Sequence, residues 1–164
     1  MIAYTSLRGS AVLLIAMISA LVFFQSVHAE EIKANLTPPR FLTQWGTQGS
    51  AAGKFERPIG IAVDGDDFVY VSDSGNQRIQ KFTAQGKFVL SWGKAGKEVG
   101  MLDRPMHLTV AQDGRIYVAE FANDRIQVFD LEGNSLALIG SSGKGKGEFD
   151  APGGGGVDRH GRIF

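Results

Sequence analysis

Proline recurs at Pro58, Pro105 and Pro152, and around it the chain repeats itself every 47 residues. Arg57–Phe82 reads RPIGIAVDGDDFVYVSDSGNQRIQKF, Arg104–Phe129 reads RPMHLTVAQDGRIYVAEFANDRIQVF, and Ala151–Phe164 begins a third copy. Of the 26 aligned positions in the two full copies 11 are identical, among them Tyr70/Tyr117, Asn76/Asn123 and Arg78/Arg125. A fixed period of this size signals a stacked or circular array, in which each unit buries its apolar face on its neighbours. One irregular core is thereby excluded.

Each copy reads as four short strands joined by turns. Ile59–Val63 and Met106–Val110 are apolar, and the turns after them carry Asp66-Asp67 or Asp113-Gly114, chemistry suited to a tight reversal. The second strand, FVYVS or RIYVA, is β-branched and aromatic. A loop with Asn76 or Asn123 follows, a residue type that tolerates left-handed backbone. RIQKF and RIQVF make the third strand, and KFVLSWG and NSLALIG the fourth. Gly46–Lys54, Gly93–Met101 and Gly140–Glu148 are polar interblade loops. Four antiparallel strands per unit is the blade of a β-propeller, so the expected fold class is all-β. Consecutive apolar residues in FVYV fit a blade packed on both faces.

Composition narrows the function. Acidic and basic residues number 17 each. Arg8 is the one charged residue in 1–29, so the rest holds 16 basic against 17 acidic. Nucleic-acid binders carry a basic excess, so no nucleic-acid partner is expected. Cysteine is absent, which removes disulfide scaffolds, Cys-based zinc sites and thiol nucleophiles.

Residues 1–29 read as a signal peptide. Arg8 precedes the 14-residue apolar run Ala11–Phe24, and Val27-x-Ala29 offers small residues to a signal peptidase. The run is short against the ~20 residues of a spanning helix. Cleavage after Ala29 and a secreted or periplasmic protein are expected, with membrane attachment only if the signal is uncleaved. Residues 30–40, with Pro38-Pro39, read as a linker.

Pro58…Val63…Tyr70-Val71-x-Asp73-x-x-Asn76-x-Arg78-Ile79-Gln80-x-Phe82 and its second copy resemble the NHL repeat family of β-propellers. The resemblance covers 41–164, as repeats 53–99, 100–146 and an incomplete 147–164. It implies a ring, commonly of six blades, with the innermost strands lining a central channel. On that reading Phe41–Gly46 is the outer strand of a preceding blade and the chain is part of a longer propeller. Two departures stand out. Gly153–Gly156 are four glycines where an inner strand should run, and Glu120 replaces the Asp of Asp73.

The candidate chemistry sorts by recurrence. Asp73–Arg78 and Glu120–Arg125 recur in every blade, as structural braces do and a catalytic pair does not. Gly140–Lys146 spells most of a phosphate loop, but Gly147 replaces the Ser or Thr that meets magnesium, and Pro152 precludes the following helix. Trp45 and Trp92 recur on outer strands and are expected to pack between blades. His107 stands where the other copies have Gly60 and Gly154. The expected function is a binding or interaction module for a protein, peptide or small molecule, with Asn76, Asn123 and Arg104 on the ligand face, no catalytic residue and no cofactor. The enzymatic alternative comes from the resemblance, because peptidyl-hydroxyglycine amidating lyases of this family hold a channel metal with histidines. It implies a metal-dependent lyase or hydrolase with zinc or calcium at His107.

Overall fold

The computed structural model describes residues 41–164, and Gln44–Phe164 form one compact unit. The signal peptide and linker expected at 1–29 and 30–40 lie outside the described residues.

Two four-stranded antiparallel meanders make up the unit. The first blade is β3 (Pro58–Val63), β4 (Val69–Asp73), β5 (Arg78–Phe82) and β6 (Phe88–Trp92). The second repeats it as β7 (Pro105–Val110), β8 (Ile116–Glu120), β9 (Arg125–Phe129) and β10 (Ser135–Ile139). Ahead of them β1 (Thr47–Gln48) and β2 (Lys54–Phe55) pair in parallel within the first interblade loop. The next two loops repeat this pairing as the single bridges Ala95–Leu102 and Ser142–Phe149.

Residues in β4, β5, β8 and β9 are buried almost without alternation, whereas outer strand β6 alternates. Middle strands of a blade meet a neighbour on both faces, which removes the period-2 pattern of a half-exposed sheet. The blades meet through Tyr70 and Ile79 of the first and Leu102, Leu108, Ile116 and Phe129 of the second. Each such large side chain, fully removed from water, contributes roughly 1.5–3 kcal/mol.

Three sequence expectations are corrected here. Phe41–Gly46 form no strand. In both blades the fourth strand is laddered to the third strand of the same blade. The left-handed residue of the second-to-third strand loop is not Asn76 or Asn123 but the next one, Gln77 (φ 56°) and Asp124 (φ 49°). Strand β3 begins at Pro58, whose partner across the ladder is Asp73, with a register shift before Ile61. Gly153–Gly156 carry no strand, as their composition predicts, although Gly156 and Phe164 exchange both backbone hydrogen bonds.

Candidate functional site: the interblade-loop face and the inner-strand opening

At the loop end of each blade a buried carboxylate organises the backbone. Asp73, wholly buried at the end of β4, accepts the Glu56 N–H on Oδ1 (2.7 Å). Its Oδ2 accepts from Asn76 Nδ2 (2.8 Å), Arg78 Nε (2.8 Å) and Gln80 Nε2 (3.1 Å). The same donors grip the first interblade loop. Asn76 donates to the Gly49 carbonyl, Arg78 to those of Ala51 and Lys54, and Gln80 to that of Lys54. A buried charge is tolerable only when paired and saturated with hydrogen bonds, and Asp73 meets both conditions.

The second blade keeps the design with a side chain one methylene longer. Glu120 is also wholly buried and accepts from Arg125 Nε (2.7 Å), Gln127 Nε2 (2.9 Å), Asn123 and the Asp103 N–H (3.1 Å). Arg125 and Gln127 then donate to carbonyls of Lys97, Glu98 and Met101. Both acid–base pairs are thus braces with their oxygens occupied. Asn76 and Asn123, expected on the ligand face, have their amide nitrogens committed to this network. They position the face, and their place in the fold accounts for their recurrence.

Arg104 sits differently. Its backbone is left-handed (φ 49°), as is that of Arg57 (φ 49°) and Ala151 (φ 54°), the residues before each blade-opening proline. Its guanidinium lies 4.6 Å from the centre of the Phe121 ring, and the side chain is exposed. Arg57, Lys54, Lys94 and Lys97 are exposed on the same loops. The face is therefore a fixed backbone bearing free basic side chains.

His107 lies near the start of β7 and is exposed. Its N–H donates to the Gly153 carbonyl of the third copy (3.3 Å). At the matching place in the first blade, Gly60 N–H donates instead to Ser72 Oγ (2.6 Å), and that hydroxyl donates to the Met106 carbonyl of the second blade. A Cβ at position 60 would fall 2.7 Å from the Met106 carbonyl oxygen and 2.9 Å from Ser72 Oγ. Ala119 occupies the Ser72 position in the second blade and has no hydroxyl to bridge. The two nearest contacts at position 60 are backbone atoms of the second blade, the Met106 oxygen and His107 Cα (2.8 Å), whereas His107 faces the glycines of the third copy, where a Cβ at Gly154 would lie 3.3 Å from the His107 Cβ. Sequence reading singled out His107 but not the backbone approach that keeps position 60 a glycine. Among the described residues no group of three His, Asp or Glu side chains is arranged to hold a metal ion.

The loop at Gly140–Gly147 uses its own amides. Gly143 N–H donates to Phe149 and Gly145 N–H to the Glu148 carboxylate (2.8 Å), and no helix follows. Trp92 packs between blades as expected, 5.8 Å from Phe129 of the second and 6.3 Å from Tyr70 of its own. Trp45 repeats this against Phe82 (4.6 Å).

Comparison with known proteins agrees with the repeat geometry. Residues 55–82 match the NHL repeat. This segment is an NHL repeat. Its second copy lies one 47-residue period on, with the same Tyr, Asn, Arg and Phe. Human E3 ubiquitin-protein ligase TRIM32 is 39% identical over 56 residues, which span 34% of this chain and 9% of that protein. Among solved structures, a catalytically inactive virginiamycin B lyase from Staphylococcus aureus with quinupristin superposes with a TM-score of 0.47 at 21% identity, over 65% of this chain and 33% of that one. A streptogramin B lyase gives 0.48 at 18% identity, over 74% and 43%. Regucalcin, a calcium-binding protein from Agrobacterium tumefaciens, gives 0.39 at 18% identity, over 49% and 29%. The chain spans less than half the length of each of these relatives.

Proposed function

We propose that this chain is an extracytoplasmic NHL-repeat module that binds a protein, peptide or small-molecule ligand on the face formed by the interblade loops. The observation that carries the reading is the division of labour on that face. Backbone carbonyls of Gly49, Ala51, Lys54, Gly96 and Met101 are held by buried and half-buried side chains of the braces, while Arg57, Arg104 and the neighbouring lysines remain exposed. A loop already ordered loses little entropy when a ligand lands on it. The exposed cations favour an acidic ligand, and Arg offers bidentate bonding to a carboxylate. Export is supported by the apolar run Ala11–Phe24 followed by Val27-x-Ala29.

The enzymatic alternative, a lyase or hydrolase with zinc or calcium at His107, has less support. His107 is exposed near the inner-strand opening, and among the described residues no group of three His, Asp or Glu side chains is arranged around a metal position.

Peptides selected from a random library on the immobilised full chain test the binding reading. They should be acidic, and Arg57→Glu/Arg104→Glu should weaken them at least ~10-fold, the scale of about 1.4 kcal/mol. Selected binders indifferent to both charge reversals would sink it.

A further inference from the structure

A groove of about 590 Å³ lies between the two complete blades, at the end away from the interblade loops. One wall is the β3–β4 turn with Asp64 and Asp66, and the other is the second blade's Val110, Ala111, Gln112 and Leu131. That volume suits a small ligand. The walls are fixed by residues that do not recur. Asp64 accepts from the N–H groups of Asp66 (3.0 Å) and Phe68 (2.9 Å) and from the Tyr70 hydroxyl (2.8 Å), which locks the turn. Lys81 is buried with its ammonium 4.3 Å from the centre of the Phe68 ring, and it donates to the Leu131 carbonyl of the opposite wall (3.3 Å). One period on, Asp64, Phe68 and Lys81 are replaced by Ala111, Arg115 and Val128. A blade can therefore be built without them, whereas the buried carboxylate braces are present in both.

The charge of this end is opposite to that of the loop face. Its turns, residues 64–68, 83–87, 111–115 and 130–134, hold six carboxylates against Lys87 and Arg115. The interblade loops, residues 46–57, 93–104 and 140–151, hold seven basic residues against five acidic. Asp66 and Glu132 are exposed and enter the turns through their backbone N–H groups, which leaves both carboxylates without a partner among the described residues. They come from different blades yet act on one group. Burial first, then Asp64, Glu132 and Asp66, raise the Tyr70 phenol above its ordinary value of 10.0.

We propose that this groove binds a linear aliphatic polyamine, its ammonium groups meeting Asp66 and Glu132 and its methylenes lying along Val110 and Leu131. A single cation neutralises one wall. Two cations joined by methylenes answer both walls and cover the apolar surface between them, as the stems of long cationic side chains do. Walls already fixed by Asp64 and Lys81 lose little freedom when the ligand arrives.

Calorimetric titration of the full chain with spermidine tests this. Asp66→Asn/Glu132→Gln alters two exposed carboxylates that hold nothing in the fold. It should weaken spermidine at least ~10-fold, the scale of about 1.4 kcal/mol, and leave the thermal melt unchanged. Amide shifts on adding spermidine should centre on Ala111, Gln112 and Leu131 and leave the Arg104 amide in place. Magnesium chloride at matched ionic strength should not displace it. The absence of binding, or binding indifferent to the double variant, would overturn the proposal. Equal displacement by magnesium would do the same, by showing a general counterion effect. Tighter binding of a short peptide alternating arginine and alanine would assign the groove to a protein segment and overturn it as well. Acidic peptides on the loop face are scored through Arg57 and Arg104, so the two proposals fail independently.

Discussion

Gln77 and Arg104 belong to neighbouring blades, both have left-handed backbone, and the Gln77 side-chain oxygen accepts the Arg104 N–H at 2.6 Å. One period on, Asp124 and Ala151 repeat the relationship at 2.8 Å. A residue before proline is pushed toward extended backbone, so left-handed geometry there costs on the order of 1–3 kcal/mol. The bond from the preceding blade offsets part of that cost and fixes where the next blade begins.

The two versions of this joint differ in pH response. The Ala151 N–H bond and the Ser142 hydroxyl hold the Asp124 carboxyl below its ordinary value of 3.8, against a smaller opposing effect of burial, with Lys97 assisting. A carboxylate with a depressed folded pKa contributes stability that is present above its unfolded pKa and lost as pH falls through the folded one. The Ala151 amide proton shift should therefore titrate with a midpoint below 3.8. The Arg104 amide, bonded to a neutral amide, should not follow it. Asp124→Asn should abolish the Ala151 titration, and an unchanged midpoint in that variant would remove the assignment.

Gly60 and His107 test the close approach of inner strands. Gly60→Ala puts a methyl 2.7 Å from the Met106 carbonyl oxygen and 2.8 Å from His107 Cα, so backbone must shift. A loss of about 1–3 kcal/mol is expected in urea unfolding. Adding Ser72→Ala relieves only the contact to Ser72 Oγ, so recovery should be incomplete. His107→Gly, by contrast, should cost little beyond backbone freedom, roughly 0.5–1 kcal/mol. Equal losses at positions 60 and 107 would show that the two inner strands are equivalent after all.

The Asp73 brace should be among the most sensitive positions. Asp73→Ala leaves the Arg78 guanidinium mostly buried without its carboxylate and strands donors from Asn76, Gln80 and Glu56. Removing one partner of such a pair costs about 3–5 kcal/mol. Arg78→Ala should be comparably damaging, and the double variant less than additive, because the two share one network. Additive losses in unfolding experiments would mean the network is not a unit.

Much of this was legible in the chain itself, and what was not shares one physical cause. RIQKF and RIQVF became β5 and β9 with the same bounds, since buried middle strands state their character residue by residue. The repeat also separated braces from catalysts. The side-chain partners could not be read. Asn76 and Asn123 suit left-handed backbone, but their amides are needed by the loop carbonyls, and the strain moved to Gln77 and Asp124. Gly60 and His107 differ because backbone of the second blade lies against Gly60 while glycines of the third copy face His107, neighbours that only the folded array brings together. The parallel β1–β2 pairing involves two residues per strand, too few to leave a pattern.

Trp92 separates packing from hydrogen bonding at the blade interface. Its ring lies against the Gly133 turn of the second blade, where a Cβ would come within 2.6 Å of it, and near Phe129 and Tyr70. Its indole N–H is buried without a hydrogen-bond partner among the described residues. Trp92→Ala opens a cavity between blades and should cost about 3–5 kcal/mol. Trp92→Phe retains much of the ring contact and removes a donor that had no partner, so the lost volume and the relieved desolvation oppose each other, with about 1 kcal/mol or less remaining. Gly133→Ala should destabilise as well, both through the ring contact and through the positive φ of 87° that an alanine resists. Thermal melts of the three variants decide the point. The order expected, from least to most damaging, is Trp92→Phe, Gly133→Ala, Trp92→Ala, and a Phe variant as unstable as the Ala variant would mean that the indole N–H has a partner after all.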